Sequence, residues 1–79
     1  MNLTRVKILA FLEKYGPARG TQIARELGLP ISTVYNALKE MRLEGLVEYD
    51  ENSKNYRITE QGMATLERIR RELAVGVVA

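Results

Sequence analysis

Ser32, Thr33, Tyr35, Asn36 and Lys39 lie close together in the chain, on the arc of a helical wheel opposite the apolar Val34, Ala37, Leu38 and Met41. A carboxamide such as that of Asn36 can donate to and accept from adenine together in the major groove of DNA. Hydroxyls such as those of Ser32 and Thr33 can serve base edges or phosphates. Lys39 and the following Arg42 come toward the end of the same helix, where flanking phosphates would run. Plainer readings stand beside these. Tyr35 can lay its ring against a neighbouring helix, and Glu40 and Glu44 are close enough to pair with Lys39 and Arg42 on the surface. Glu40 would itself be repelled by phosphate unless it accepts from a cytosine amino group or faces away. The chemistry on offer is recognition of a nucleic acid.

Other chemistries are narrowed by what the chain lacks. It has no cysteine and no histidine, so it can build neither a Ser-His-Asp nor a Cys-His relay, and no ordinary zinc site. Asp50 is the sole aspartate and the glutamates are scattered at surface-like spacings, so no catalytic residue, metal ligand or cofactor motif stands out. The 79 residues make one domain over 1–79, and folding buries about 60% of the open chain's surface. A core this small seldom supplies more than about 3–5 kcal/mol unaided, and self-association is the common staple left when disulfides and zinc are absent. No apolar run approaches the roughly 18 residues of a membrane span, and the first residues lack a signal peptide's pattern. A cytosolic protein is expected. A net charge of +2 permits an anionic partner without requiring one. Its distribution says more: residues 1–45 hold seven Lys/Arg against four Glu, whereas residues 46–59 hold two against three acidic residues.

The breaks Gly16-Pro17 and Gly28-Leu29-Pro30 divide the first half into three helices. The first runs from Leu3 to Tyr15 with Asn2 or Thr4 as its N-cap, and its apolar residues spread most of the way round the wheel. Such a helix is expected to be covered on two sides, by its own core and by a partner subunit. The second runs from Thr21 to Leu27, with Ile23, Ala24 and Leu27 inward, and the third from about Ile31 to Glu44. The period then changes. Leu46–Asp50 and Tyr56–Ile58 alternate as strands do, around a polar turn at Glu51–Asn55. Thr59 is a good N-cap for a last helix from Glu60 to about Leu73, followed by an uncharged tail, 74–79. On that helix Arg68, Arg70 and Arg71 interleave with Glu67 and Glu72, which reads as a solvated face.

Helix, short helix, tight turn, helix, hairpin, helix is the layout of a winged helix-turn-helix: a mostly α fold with a three-helix core, a β-hairpin wing and a C-terminal helix. The stretch from Gly20 to Lys39 fits it closely. Ala24 is small where two helices approach, Gly28 supplies the turn, and Ile23, Leu27, Leu29, Val34 and Leu38 face inward. Arg19, just before the second helix, and Arg25 on its outer face are further candidates for phosphate contact.

Ser32-Thr33-Val34-Tyr35, then Leu38, then Glu44-Gly45-Leu46-Val47, resembles the segment leading from recognition helix to strand in bacterial and archaeal winged-helix regulators. Tyr56-Arg57-Ile58-Thr59-Glu60-Gln61-Gly62 is similar to the strand-into-helix motif of the MarR and PadR families, and the first half resembles the DNA-binding domain of TrmB-like regulators. The resemblance covers roughly residues 5–73. It implies a sequence-specific and usually dimeric transcription factor, more often a repressor. By similarity to wings of these families, Lys54 and Arg57 would reach the DNA backbone or minor groove. The first and last helices are expected to form the dimer through Leu3, Val6, Ala10, Met63, Leu66, Ile69 and Leu73, the last four reading as core or dimer seam. Two recognition helices about one DNA turn apart would then read a palindromic site. The alternative is a winged helix that serves as a protein-binding adaptor without DNA specificity.

Overall fold

The computed structural model describes the backbone of residues 3–78 and the side chains of residues 3–74. Helix α1 (Leu3–Tyr15) is followed by α2 (Gly20–Leu27) and α3 (Ile31–Leu43). Strands β1 (Val47–Asp50) and β2 (Asn55–Ile58) form an antiparallel hairpin, and α4 (Glu60–Val78) completes the chain. The winged helix-turn-helix layout expected from the sequence is the one observed.

Local chemistry accounts for the turns. Gly28 stands in the left-handed region at φ +66, which glycine adopts without strain. Its N–H and that of Leu29 reach back to the carbonyls of Arg25 and Ala24 at 3.3 and 3.0 Å, satisfying acceptors that the helix end would otherwise orphan. Pro30 then holds the extended conformation from which α3 begins. Ile23 and Ala24 of α2 meet Val34 and Leu38 of α3 in a core that also takes Ile8, Leu9 and Leu12 from α1.

The hairpin register pairs Glu48 with Arg57 and Tyr49 with Tyr56. At its tip the Asp50 carboxylate accepts the Asn52 N–H at 2.9 Å. That bond, with a second from Ser53, holds the Asp50 carboxyl below its ordinary pKa.

Helix α4 is tied to the hairpin base at its first turn. Thr59 Oγ1 accepts the Gly62 N–H at 2.9 Å and donates to the Gly45 carbonyl at 2.7 Å. The expected cap is therefore also a bridge to the end of α3. Thr59→Ala should cost about 0.5–2 kcal/mol in urea unfolding, toward the upper end because the Gly45 bond goes too, and Thr59→Ser should restore most of it. Gly62 lies against the Leu46 backbone so closely that a Cβ there would stand 2.2 Å from the Leu46 carbonyl oxygen. Farther along, Arg70 pairs with Glu13 of α1 at 2.9 Å, and Arg5 of α1 pairs with Glu44 beyond the end of α3.

Several expectations are corrected. Helix α4 continues through the apolar tail to Val78 rather than ending near Leu73. A lone glycine costs about 1 kcal/mol, too little to stop a helix already nucleated when no proline follows. Thr4 lies inside α1 rather than capping it, and Asn2 is outside the described residues. Leu66 and Ile69, expected in the dimer seam, are 1% and 5% exposed within this single chain. They belong to its core, because α4 packs onto α1 and the start of the hairpin. Met63 and Leu73 from the same stripe remain 44% and 61% exposed. On α1, Leu3 is exposed and Val6 and Ala10 are half-buried.

Candidate nucleic-acid interface

The buried stripe of α3 (Val34, Ala37, Leu38, Met41) fixes which side of that helix meets solvent. Ser32, Thr33, Asn36 and Lys39 are all exposed. Among the described residues none of their side chains has a hydrogen bond or ion pair. Ser32, Asn36 and Lys39 follow the spacing i, i+4, i+7, so they form one stripe about 10 Å long. A donor-rich stripe held on a rigid helix, with no internal partner to surrender, is suited to reading base edges. At the start of α3 no side chain caps the first turn, and its free N–H groups add to the positive end of the helix beside Ser32 and Thr33.

Tyr35 is placed differently from these four. It is 38% exposed, and its ring lies over Gly20 at the start of α2, where an added Cβ would stand 2.5 Å from Cζ and 2.8 Å from the hydroxyl. Its edge also faces Tyr56 of β2, with ring centroids 6.3 Å apart. The ring packs against the second helix, and not into the row formed by Asn36 and Lys39.

The basic residues divide as well. Arg19, at the N-cap position of α2, and Arg25 are exposed and unpaired among the described residues. Lys54 is exposed at the hairpin tip, at φ +64. Arg42 is engaged elsewhere: its guanidinium lies over the Tyr49 ring, 5.2 Å from the centroid. Glu44 does not compete for it, being drawn to Arg5. Arg57 pairs with Glu48 across the hairpin at 3.0 Å. With Asp50 and Glu51 close by, the wing is the less basic part of this surface.

One feature of the site has almost no sequence signal. Ala18, in the linker between α1 and α2, exchanges two backbone hydrogen bonds with Tyr56, at 2.8 and 3.0 Å. That single bridge adds the linker to the edge of the hairpin and brings Gly20, Tyr35 and Tyr56 to one point. A one-residue bridge has no periodicity to detect. Tyr56 is buried there, and burial pushes its hydroxyl above the ordinary phenol pKa. Among the described residues no group of acidic side chains could hold a metal ion, and no helix is long and apolar enough to cross a membrane.

Comparison with known proteins agrees with this geometry. The family model described as "Sugar-specific transcriptional regulator TrmB" matches residues 4–61. No curated protein sequence matches significantly. Among solved structures, the Zβ domain of human DAI is 36% identical with a TM-score of 0.62, over 66% of this chain and 87% of that one. The transcriptional repressor CouR, solved with p-coumaroyl-CoA, is 23% identical with a TM-score of 0.85, over 94% of this chain and 54% of that one. A MarR family protein from Bacillus stearothermophilus is 23% identical with a TM-score of 0.80, over 98% of this chain and 59% of that one. The chain thus spans between half and three-fifths of these two regulators, which show the fold it shares with them. The family model's match along most of the chain, over the fold described above, identifies the chain as a member of the TrmB family of winged-helix, DNA-binding transcriptional regulators.

Proposed function

We propose that this protein is a repressor that binds a palindromic site in duplex DNA as a homodimer, in the cytosol. The observation that carries the reading is the unpartnered stripe of Ser32, Thr33, Asn36 and Lys39 on α3. In this reading those four residues lie in the major groove. Arg19, Arg25 and Lys54 hold phosphates, and Arg42 and Arg57 assist from positions their intramolecular partners already hold. The likeness in fold to a repressor favours repression over activation. Self-association is favoured by the small core and by the apolar residues left exposed on α1 and α4, Leu3, Met63 and Leu73. Helix α4, with 19 residues, is about 28 Å long, enough to carry a contact beyond the three-helix core.

Selection of a preferred site from a random duplex library, followed by Asn36→Ala, tests the readout. The variant should lose about 1–3 kcal/mol of discrimination at one base pair per half-site. Unchanged preference would remove Asn36 from the groove. For the dimer, Leu73→Glu should leave the fold within about 0.5 kcal/mol, as surface substitutions usually do, while sedimentation shows a shift to monomers. A variant that still sediments as a dimer would place the interface elsewhere.

A further inference from the structure

Three observations converge on Tyr35. All three atoms nearest to a Cβ built on Gly20 belong to the Tyr35 side chain, at 2.5, 2.8 and 2.8 Å. The same ring meets Tyr56 edge-on at 6.3 Å, and Tyr56 stacks at 4.8 Å on Tyr49, its cross-strand partner. The Arg42 guanidinium lies over the Tyr49 ring at 5.2 Å. Tyr35 and Arg42 are seven residues apart on α3, two turns or about 10 Å along one side of the helix. The hairpin is therefore held against α3 at two separate points, by one row of aromatic rings. Beside Tyr56 the hairpin is also tied by the backbone bridge to Ala18, two residues before Gly20, and β2 packs on α1 and α4 as well.

We infer that Tyr35 is a positioning residue for the wing: seated on Gly20 and edge-on to Tyr56, it sets the angle between recognition helix and hairpin. This deepens the proposed DNA-binding role, on which its functional consequence rests. Gly20 is part of the device because only a residue without a side chain leaves the ring its seat. The clash introduced by a larger residue falls on the far end of a side chain that can rotate away. The ring is then expelled and the chain stays folded. Freed of that restraint, the wing turns more loosely about its base, and Lys54 at its tip is no longer held at one distance from the stripe of Asn36 and Lys39.

The test uses Gly20→Ala, Tyr35→Ala, the double variant and Tyr35→Phe. Amide hydrogen exchange over residues 47–58, compared with α1, reads the wing directly and needs no DNA. Each of the two single alanine variants should speed exchange in the hairpin by about three- to tenfold, the scale set by removing one aromatic pair. The double variant should be no faster than either, since both changes abolish the same interaction. Tyr35→Phe keeps the ring and should behave as the wild type. Additive effects, or hairpin exchange that matches wild type in both single variants, would overturn the inference. On random duplex DNA, Gly20→Ala should also lower the log–log salt slope by about one for each phosphate the wing no longer neutralises. If the wild type fails to bind DNA, the proposed function falls while hydrogen exchange still decides whether Tyr35 positions the wing. An unchanged salt slope in a variant whose wing exchanges faster would confine the device to the free protein and overturn its role in binding.

Discussion

Leu66→Ala should cost about 2–5 kcal/mol, the range for emptying a buried leucine site, and leave the domain largely unfolded at 37 °C. Small cores of this kind seldom hold more than about 3–5 kcal/mol in all. Leu66 is buried in a cluster with Ile8, Leu9, Leu12 and Leu46, so the cavity would open in the centre of the chain's own core. Leu66→Glu sharpens the contrast. Had Leu66 formed a subunit seam, a charge there would give folded monomers. In the core it must bury an unpaired carboxylate, and the chain should lose its helical circular dichroism. A folded monomeric Leu66→Glu protein would contradict the packing described here.

The second large effect is expected at Gly62. A Cβ there would stand 2.2 Å from the Leu46 carbonyl oxygen, 2.8 Å from Ile58 Cγ1 and 3.1 Å from the Leu46 carbonyl carbon. The Ile58 side chain can yield. The Leu46 backbone is held on both sides, since its N–H donates to Met41 at 2.9 Å and its carbonyl accepts from Thr59 at 3.1 Å. Gly62→Ala must therefore lift the first turn of α4, straining the Thr59 cap and its bond to Gly45. Overpacking of this kind costs about 1–3 kcal/mol and sometimes more, and the disturbed hydrogen bonds add about 1 kcal/mol each. Alanine's better helix propensity returns about 1 kcal/mol, so a net loss of about 2–4 kcal/mol is expected in urea unfolding. A change below about 0.5 kcal/mol would mean that α4 is not seated on the hairpin base as described.

Most of the fold is legible in the sequence because its signals are local. Gly28 and Pro30 mark the turn, Val34-Ala37-Leu38-Met41 mark the inner side of α3, and Thr59 marks the start of α4 with the cap it makes. What escapes is set by interactions between residues distant in sequence. The stripe Met63, Leu66, Ile69, Leu73 has helical spacing whether it faces a core or a partner, and only the placement of α4 on α1 divides it. The length of α4 is hidden because the uncharged tail offers a single glycine, Gly76, as a stop signal and no proline. At the candidate site the exposed polar stripe can be read from periodicity. The roles of Arg42 and Arg57 cannot, since they depend on Tyr49 and Glu48 arriving from the hairpin. Tyr35 leaves both readings open in sequence, and the absence of a side chain at Gly20 is what gives its ring a seat.

Binding of DNA by the α3 surface can be read from fluorescence anisotropy on random duplex DNA titrated with salt. Each phosphate neutralised contributes about −0.9 to the log–log slope, so a slope of roughly −4 to −8 is expected, for about five to nine phosphates over two half-sites. Arg25→Ala, which removes one of the phosphate contacts of this reading, should make that slope shallower by about one per half-site. No binding even at low salt would contradict the account and point instead to a winged helix that docks a protein.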